Sequence, residues 1–141
     1  MDSALVAAVM ARDQFAKQNG MRLVEVRPGF ARTEMDVEPR HLNAVGILQG
    51  GAAFTLADLA FAAAVNSHGV ITVACQADIT YLKAVVSGSL TAVAEEISRT
   101  RKLSTCIVRV TDEEGELVAL FKGVAYIKGV PLPVPEAGET G

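Results

Sequence analysis

The chain has 141 residues, of which 50% are hydrophobic, 21% charged and only 5% aromatic, with no Trp. This length fits a single domain that buries its own core without disulfides. The formal net charge is −3, so the surface is not generally basic and we expect no nucleic-acid partner. Small apolar residues, mainly Ala and Val, suit a tightly packed helix-on-sheet layer and are compatible with a buried subunit interface.

The sequence has no pattern typical of a membrane span or a secretion signal. The apolar run at residues 59–65 is far too short to cross a bilayer. Charges at Asp2 and Asp13 interrupt the N-terminal apolar stretch, which argues against a signal peptide. We therefore expect a cytoplasmic location and no membrane partner.

Residues that bind metals through sulfur or imidazole are few and scattered. Cys75 and Cys106 lie in apolar, strand-like stretches and are predicted to be small buried hydrophobic residues. His41 and His68 lie at a loop and a helix end, without metal-ligand spacing to another His or Cys. We expect exposed polar roles for both histidines and no metal site.

Hydrophobic periodicity and turn residues divide the chain into two helices and six strands. In chain order they are a helix at 2–18, strands at 22–27 and 30–37, a loop at 39–49, a helix at 52–67, and strands at 71–85, 90–98, 104–111 and 117–127. Hairpins around one long helix predict an α+β fold, with an antiparallel sheet wrapped on that helix. We expect one domain over residues 1–130, with an N-terminal helix at 1–19 and a disordered tail at 131–141.

Asp58 is the unusual residue of the long central helix, which is apolar on nearly every face and should be buried on nearly every face. An ionised carboxylate buried there without partners is strongly unfavourable, and Asp is a poor residue for a helix interior. Two explanations fit. Asp58 is either a structural residue bonded to a strand or a neighbouring subunit, or a general base or nucleophile in a dry pocket.

Gly50 and Gly51 open the same helix. A helix N-terminus presents unpaired backbone N–H groups and the positive end of a dipole. Without side chains, that backbone can be approached closely by a substrate carbonyl, as in an oxyanion hole. An ordinary glycine-rich helix entry is the alternative.

The distance between these two features predicts a shared site. Gly50 and Asp58 are eight residues apart, roughly 12 Å along a helix, so one helix cannot direct both at one carbonyl carbon. Two antiparallel copies, related by a two-fold axis, can do so. We therefore expect an obligate dimer with two equivalent sites.

Residues 41–58, together with the segments 78–83 and 111–118, carry a specific pattern. Its key positions are Asn43, Gly46, Gly50, Gly51 and Asp58. This pattern resembles the signature of the hotdog-fold thioesterases, and within them the PaaI-like subfamily of phenylacetate degradation. The likeness extends over about residues 20–128, and it implies a hotdog fold, an antiparallel sheet around one central helix.

The resemblance also implies an activity and roles for the site residues. Such enzymes hydrolyse acyl-CoA thioesters without a metal or other cofactor, as dimers and commonly as dimers of dimers. By this likeness Asp58 activates water or attacks the carbonyl carbon, and the backbone N–H of Gly50, with that of Gly51, polarises the carbonyl. Asn43 would hold the water or orient Asp58, since an amide both donates and accepts hydrogen bonds.

The sequence departs from the family pattern at two positions. Gln49 stands where relatives usually have His; it can donate a hydrogen bond but cannot titrate near neutral pH. Ala74 stands where some relatives carry Ser, so that hydroxyl is absent unless Thr72 replaces it. Slower turnover or a different acyl preference is the expected consequence.

Arg99, Arg101 and Lys102 form a local basic cluster. On sequence alone they fit a solvated hairpin turn, whereas the resemblance implies contacts to the phosphates of CoA. Lys83 is a weaker candidate for the same role.

Two other functions stay open. An (R)-specific enoyl-CoA hydratase on this fold would need a His five residues after the Asp, and Ala63 occupies that position. A non-catalytic acyl-CoA sensor that kept the pocket is compatible with the replacement of the usual His by Gln49.

Overall fold

The computed structural model describes residues 3–133, which form one antiparallel sheet with a long helix across it. The helices are α1 (Ser3–Met10), α2 (Gln14–Gln18) and α3 (Gly50–Asn66), with a short 3-10 turn at Pro39–His41. The strands are β1 (Met21–Arg27), β2 (Phe30–Asp36), β3 (Val70–Tyr81), β4 (Ser89–Arg99), β5 (Leu103–Asp112) and β6 (Leu117–Pro131). Among these residues, no helix is long and apolar enough to cross a membrane.

The six strands are ordered β1-β2-β4-β5-β6-β3, and every neighbouring pair is antiparallel. β1–β2, β4–β5 and β5–β6 are hairpins, whereas β3 lies at the far edge and pairs with β6 from Val70↔Pro131 to Tyr81↔Ala119. The α+β prediction is therefore confirmed. A long edge strand, β3, is left with one side unpaired in the single chain.

The core forms where α3 crosses the sheet. Phe61 is 1% exposed and packs on Phe121, with ring centroids 5.7 Å apart. A Cβ on Gly123 would lie 2.7 Å from the Phe61 ring, so glycine at this position of β6 admits the ring. Removing such a side chain would cost about 3–5 kcal/mol. Most other α3 core residues are Ala, which lets the helix lie close to the strands.

One stripe of α3 is not covered by the sheet. Gly51, Thr55, Asp58 and Ala62 are exposed or half-buried, and their spacing places them on one face of the helix. The expectation that the helix is buried on nearly every face thus holds for the sides that face the sheet and the N-terminal helices, and not for this stripe. The uncovered stripe carries Asp58.

The N-terminal helix differs from the sequence-based prediction, because it is two helices. Asp13 ends the predicted run by capping α2, and its Oδ1 accepts a hydrogen bond from Ala16 N–H at 3.0 Å. Asp is a preferred N-cap because its side chain satisfies a free N–H of the first turn. Both helices pack against β1 and α3.

The strand ends also differ. β3 ends at Tyr81 rather than at residue 85, and β6 continues to Pro131 rather than ending at residue 127. Leu132 is 6% exposed, and its N–H donates to the Gly69 carbonyl at 3.0 Å. Ordered structure therefore extends into the segment predicted as a tail, and residues 134–141 of that prediction lie outside the described residues.

Two expectations about polar side chains were wrong. His41 is 2% exposed rather than at the surface; its Nδ1 accepts from Glu38 N–H at 2.9 Å and its Nε2 lies 2.8 Å from the Asn19 carbonyl oxygen. His41 therefore ties the 3-10 turn to the end of α2. Cys75 is exposed on the edge strand β3, whereas Cys106 is buried as predicted.

Candidate active site

Asp58 lies in the third turn of α3, on the uncovered stripe, and is half-buried. Its carboxylate has no hydrogen-bond partner among residues 3–133. Burial raises the pKa of Asp58 above its usual value, and the negative charge of Asp13 raises it further. A carboxylate with a raised pKa and no partner is a stronger proton acceptor than an exposed one.

The first turn of α3 has one free backbone donor. Gln49 is the N-cap: its side-chain Oε1 accepts from Gly51 N–H, and its carbonyl accepts from Ala52 N–H at 2.9 Å. Gly50 N–H has no hydrogen-bond partner within the described part of the chain. Because Oε1 faces the helix, the Nε2 of Gln49 is available to a ligand.

A side chain at either glycine would meet a neighbouring side chain. A Cβ on Gly50 would lie 2.9 Å from Cζ and Oη of Tyr81, and a Cβ on Gly51 would lie 2.6 Å from Oε1 of Gln49. Tyr81 Oη also donates to the Gly50 carbonyl at 2.9 Å. Sequence reasoning missed this role of Tyr81, because the two residues are 31 positions apart.

Two surface cavities lie beside the glycine pair, one next to each glycine. One, of about 500 Å³, is lined by Gly50, Ala53, Tyr81 and mostly aliphatic neighbours. The other, of about 270 Å³, is lined by Gly51, Thr55 and residues of α2 and the 3-10 turn. A ligand could therefore reach the start of α3 from either side.

Asn43 shapes the loop that leads into α3. Its Oδ1 accepts from Val45 N–H at 3.0 Å and from Ile47 N–H at 3.2 Å. Gly46 completes this turn with a φ of +81°, in the left-handed region that favours glycine. In the described chain no hydrogen bond joins Asn43 to Asp58, so its predicted role toward water or Asp58 stays a prediction.

One chain does not bring the predicted catalytic groups together. α3 is continuous from Gly50 to Asn66, which keeps Gly50 and Asp58 roughly 12 Å apart along the axis. A site that contains both groups would therefore need a second chain, and the shared site stays a prediction.

Arg99 is engaged within the chain. Its Nη1 donates to Glu96 Oε2 at 3.0 Å and lies 3.4 Å from the Val65 carbonyl oxygen at the end of α3. Burial opposes ionisation of Glu96, but hydrogen bonds from Ser104, His68 and Arg99 outweigh it and lower the Glu96 pKa. Arg99 thus has a structural role that the sequence did not indicate.

Arg101 and Lys102 are exposed in the turn between β4 and β5. Lys102 Nζ lies 5.6 Å from the centre of the Tyr126 ring. Within residues 3–133, neither of these two cations forms an ion pair with a carboxylate, unlike Arg99. Contact with CoA phosphates remains a prediction for them.

Lys83 is held by two carboxylates at the β5–β6 turn. Its Nζ lies 2.6 Å from Asp112 Oδ2 and also contacts Glu116 Oε2. These hydrogen bonds raise the pKa of Lys83 and lower that of Asp112. Asp112, Glu114 and Glu116 are close enough together to hold a cation, but the Lys83 ammonium already pairs with two of them.

The Ala74 position has no nearby replacement hydroxyl. Ala74 is exposed on β3, opposite Ala125 of β6. Thr72 is 4% exposed and its Oγ1 donates to the Val70 carbonyl at 3.1 Å. The possibility that Thr72 supplies the missing hydroxyl therefore finds no support in the single chain.

Comparison with known proteins identifies the family. The model of the thioesterase superfamily matches residues 45–119. The chain belongs to the thioesterase superfamily. The matched segment contains α3 with its glycine pair and Asp58, together with β3, β4 and β5.

Individual relatives agree. A putative esterase of Archaeoglobus fulgidus is 43% identical over 106 residues, which cover 74% of this chain and 69% of that protein. The acyl-coenzyme A thioesterase PaaI of Escherichia coli is 32% identical over 120 residues, 84% of this chain and 86% of that protein.

Solved structures match as well. The E. coli PaaI structure superposes with a TM-score of 0.88 at 30% identity, covering 92% of this chain and 95% of that one. A hypothetical thioesterase of Streptococcus pneumoniae, solved with coenzyme A, gives a TM-score of 0.75 at 28% identity over 79% and 88% of the two chains. The PaaI-like resemblance and the hotdog fold are thereby confirmed, and with them thioester hydrolysis as the type of activity.

Proposed function

We propose that this chain hydrolyses acyl-CoA thioesters, with Asp58 as the catalytic carboxylate and Gly50 N–H as the oxyanion donor. The observation that carries the proposal is a half-buried carboxylate with no partner in the described chain and a raised pKa, on a helix whose first N–H is also unpaired. The choice of acyl-CoA rests on the PaaI relative and on the S. pneumoniae structure with coenzyme A.

The reaction needs only groups of this chain and water. A water oxygen attacks the thioester carbonyl carbon while Asp58 accepts the water proton. The carbonyl oxygen becomes negative and accepts a hydrogen bond from Gly50 N–H. The C–S bond then breaks, and the proton on Asp58 passes to the CoA sulfur, so that free acid and CoA thiol leave and Asp58 is again a carboxylate.

Direct attack by Asp58 is the other route. It would form a mixed anhydride between Asp58 and the acyl group, which water then hydrolyses. A single turnover in ¹⁸O-labelled water separates the routes. If Asp58 attacks and water then cleaves the anhydride at the Asp58 carbonyl carbon, the first product keeps ¹⁶O from the enzyme and Asp58 gains ¹⁸O. Water activation puts ¹⁸O in the product at once and leaves Asp58 unlabelled.

We further propose that two chains build each site. The uncovered stripe of α3 and the unpaired edge of β3 are two surfaces that a second copy could cover, and an edge strand is a natural place for pairing. Antiparallel packing of two α3 helices would place Asp58 of one chain near Gly50 of the other. Apolar residues that face away from α3, Leu120 and Tyr126, would suit association of two such dimers.

The test is release of CoA thiol from a panel of aryl- and alkyl-CoA thioesters. Asp58→Asn and Asp58→Ala should each lower kcat by at least about a hundredfold, the scale of losing a catalytic base. Asp36→Asn, which alters an exposed carboxylate at the end of β2, is the matched control and should keep the wild-type rate. Near-normal rates for both Asp58 variants would refute the assignment.

A non-catalytic acyl-CoA binder is the second candidate, because Gln49 replaces a residue that usually titrates. Calorimetric binding of acyl-CoA without thiol release by the wild-type chain would favour it. The structure gives the hydratase alternative no support. Its second acid–base group would have to stand at position 63, where Ala63 is 0% exposed in the core and cannot transfer a proton.

A further inference from the structure

Tyr81 is the last residue of β3, and its side chain reaches the first residue of α3. Its ring is among the more exposed aromatics, at 54%, yet its hydroxyl is engaged. Oη donates to the Gly50 carbonyl at 2.9 Å. Because the ring is exposed, core packing does not hold it in place. Its position is set by the end of β3 and by the hydrogen bond to the first carbonyl of α3.

The contact depends on both partners. A Cβ on Gly50 would lie 2.9 Å from Cζ and from Oη of Tyr81 and 3.3 Å from Cε1. The three nearest atoms to that position all belong to the same ring. A side chain at Gly50 would therefore have to displace the Tyr81 ring, and the two residues line the same cavity of about 500 Å³.

The chemistry of the peptide group explains what the hydroxyl does. The Gly50 carbonyl and the Gly51 N–H belong to one peptide group, so a hydrogen bond to the oxygen makes the N–H a stronger donor. The same bond restrains the first turn of α3, where Gly50 N–H has no partner in the described chain. The Gly51 N–H is bonded to Gln49 Oε1, so the hydroxyl strengthens that cap. Tyr81 thereby fixes the turn that orients the free Gly50 N–H, without needing to touch the substrate.

We propose that Tyr81 is a positioning residue for thioester hydrolysis, whose hydroxyl holds the peptide between Gly50 and Gly51 and with it the orientation of the Gly50 N–H. The inference rests on the proposed function, because an oxyanion site is needed only if the chain acts on a carbonyl. It adds to that function a residue of β3 that the glycine pair and Asp58 do not imply.

The first test is the kcat and KM of Tyr81→Phe, which keeps the ring and removes the hydroxyl. We expect kcat to fall about tenfold, less than the loss on deleting an oxyanion donor itself, with KM changed less than twofold. An interaction felt only in the transition state lowers kcat without raising KM. Thr91→Val, which removes a hydroxyl from the face of β4 turned away from α3, is the matched control and should match wild type.

The second test measures stability and needs no activity. Gly50→Ala should lower Tm in the wild-type chain, because its methyl group meets the Tyr81 ring. In a Tyr81→Ala background the same substitution should leave Tm unchanged or raise it, since Ala is the better helix residue. Equal losses of Tm in both backgrounds would show that another contact excludes the methyl group, and would overturn the pairing.

The outcomes separate the two proposals. If the wild-type chain releases no thiol from any thioester, the proposed function fails, and the positioning role fails with it. If the wild-type chain is active and Tyr81→Phe has the same kcat, the function stands and the positioning role is wrong. A Tyr81→Phe variant with raised KM and lowered Tm would indicate a structural residue and would also overturn the inference.

Discussion

The two ends of α3 treat their polar groups in opposite ways. At the C-terminal end, the side-chain amide of Asn66 donates to the Thr72 carbonyl and accepts from Thr72 N–H. Ser67 Oγ donates to the Ala64 carbonyl and accepts from Gly29 N–H. At the N-terminal half, Gly50 N–H and the Asp58 carboxylate lack partners within residues 3–133. Satisfied buried polar groups hold a structure together, whereas unsatisfied ones are kept for a ligand.

The contrast is sharpest between two acids. Glu96, near the C-terminal end, receives hydrogen bonds from His68, Arg99 and Ser104, and its pKa is lowered. Asp58 receives none, and its pKa is raised. A lowered pKa means that the folded state favours the ionised acid, and a raised pKa means that the folded state resists it.

Of these two acids, Glu96 should therefore have the larger effect on stability. Glu96→Gln breaks a charged network and should lower the free energy of unfolding by about 2 kcal/mol, measured by urea denaturation. Asp58→Asn should leave stability unchanged or raise it at neutral pH, because it removes a half-buried charge without partners. A loss for Asp58→Asn as large as that for Glu96→Gln would mean that Asp58 is structural.

The pH dependence of stability separates the acids further. Because the Glu96 pKa is depressed in the folded state, its contribution is full above the unfolded pKa, near the ordinary 4.5, and is lost as pH falls through the folded pKa. Glu96→Gln should remove that part of the acid sensitivity. The Asp58 penalty has the opposite sign, since it grows as pH rises through the raised pKa.

A smaller effect is expected on the pH profile of activity. Asp58 must be ionised to act, so kcat/KM should fall as pH drops below its pKa. Asp13→Asn removes the charge that helps to raise this pKa and should move the acid limb to lower pH. Asn is an equally good N-cap, so α2 should stay folded; a limb at the wild-type position would show that burial alone sets the pKa.

Gln49 should give the smallest change. Gln49→Ala removes the cap on Gly51 N–H and should cost about 1 kcal/mol of stability, measured by thermal unfolding. Gln49→His should retain or raise the rate of thiol release, since an imidazole also donates and can titrate. A collapse of activity in Gln49→His would show that the amide itself contacts the substrate.

Local patterns in the sequence carried most of the fold and part of the site. The alternation of strands, the turns and the long apolar helix predicted the α+β sheet-on-helix layout, and Asp58 stood out because an acid is out of place in such a helix. Gly50 and Gly51 were identified from their place at a helix start. These features depend on neighbours within a few residues, which is why a single sequence shows them.

Only the tertiary structure decided how distant residues meet. Tyr81 contacts Gly50, 31 positions away, and Arg99 contacts Val65, 34 positions away. Lys83 pairs with two carboxylates of the β5–β6 hairpin. Nothing in the local pattern of either partner encodes such a pairing, because it depends on the strand order of the sheet and on where α3 crosses it. The sequence by itself determined which elements form and which acid is exceptional; the strand order determined which cations are already neutralised and which tyrosine lies against the glycine.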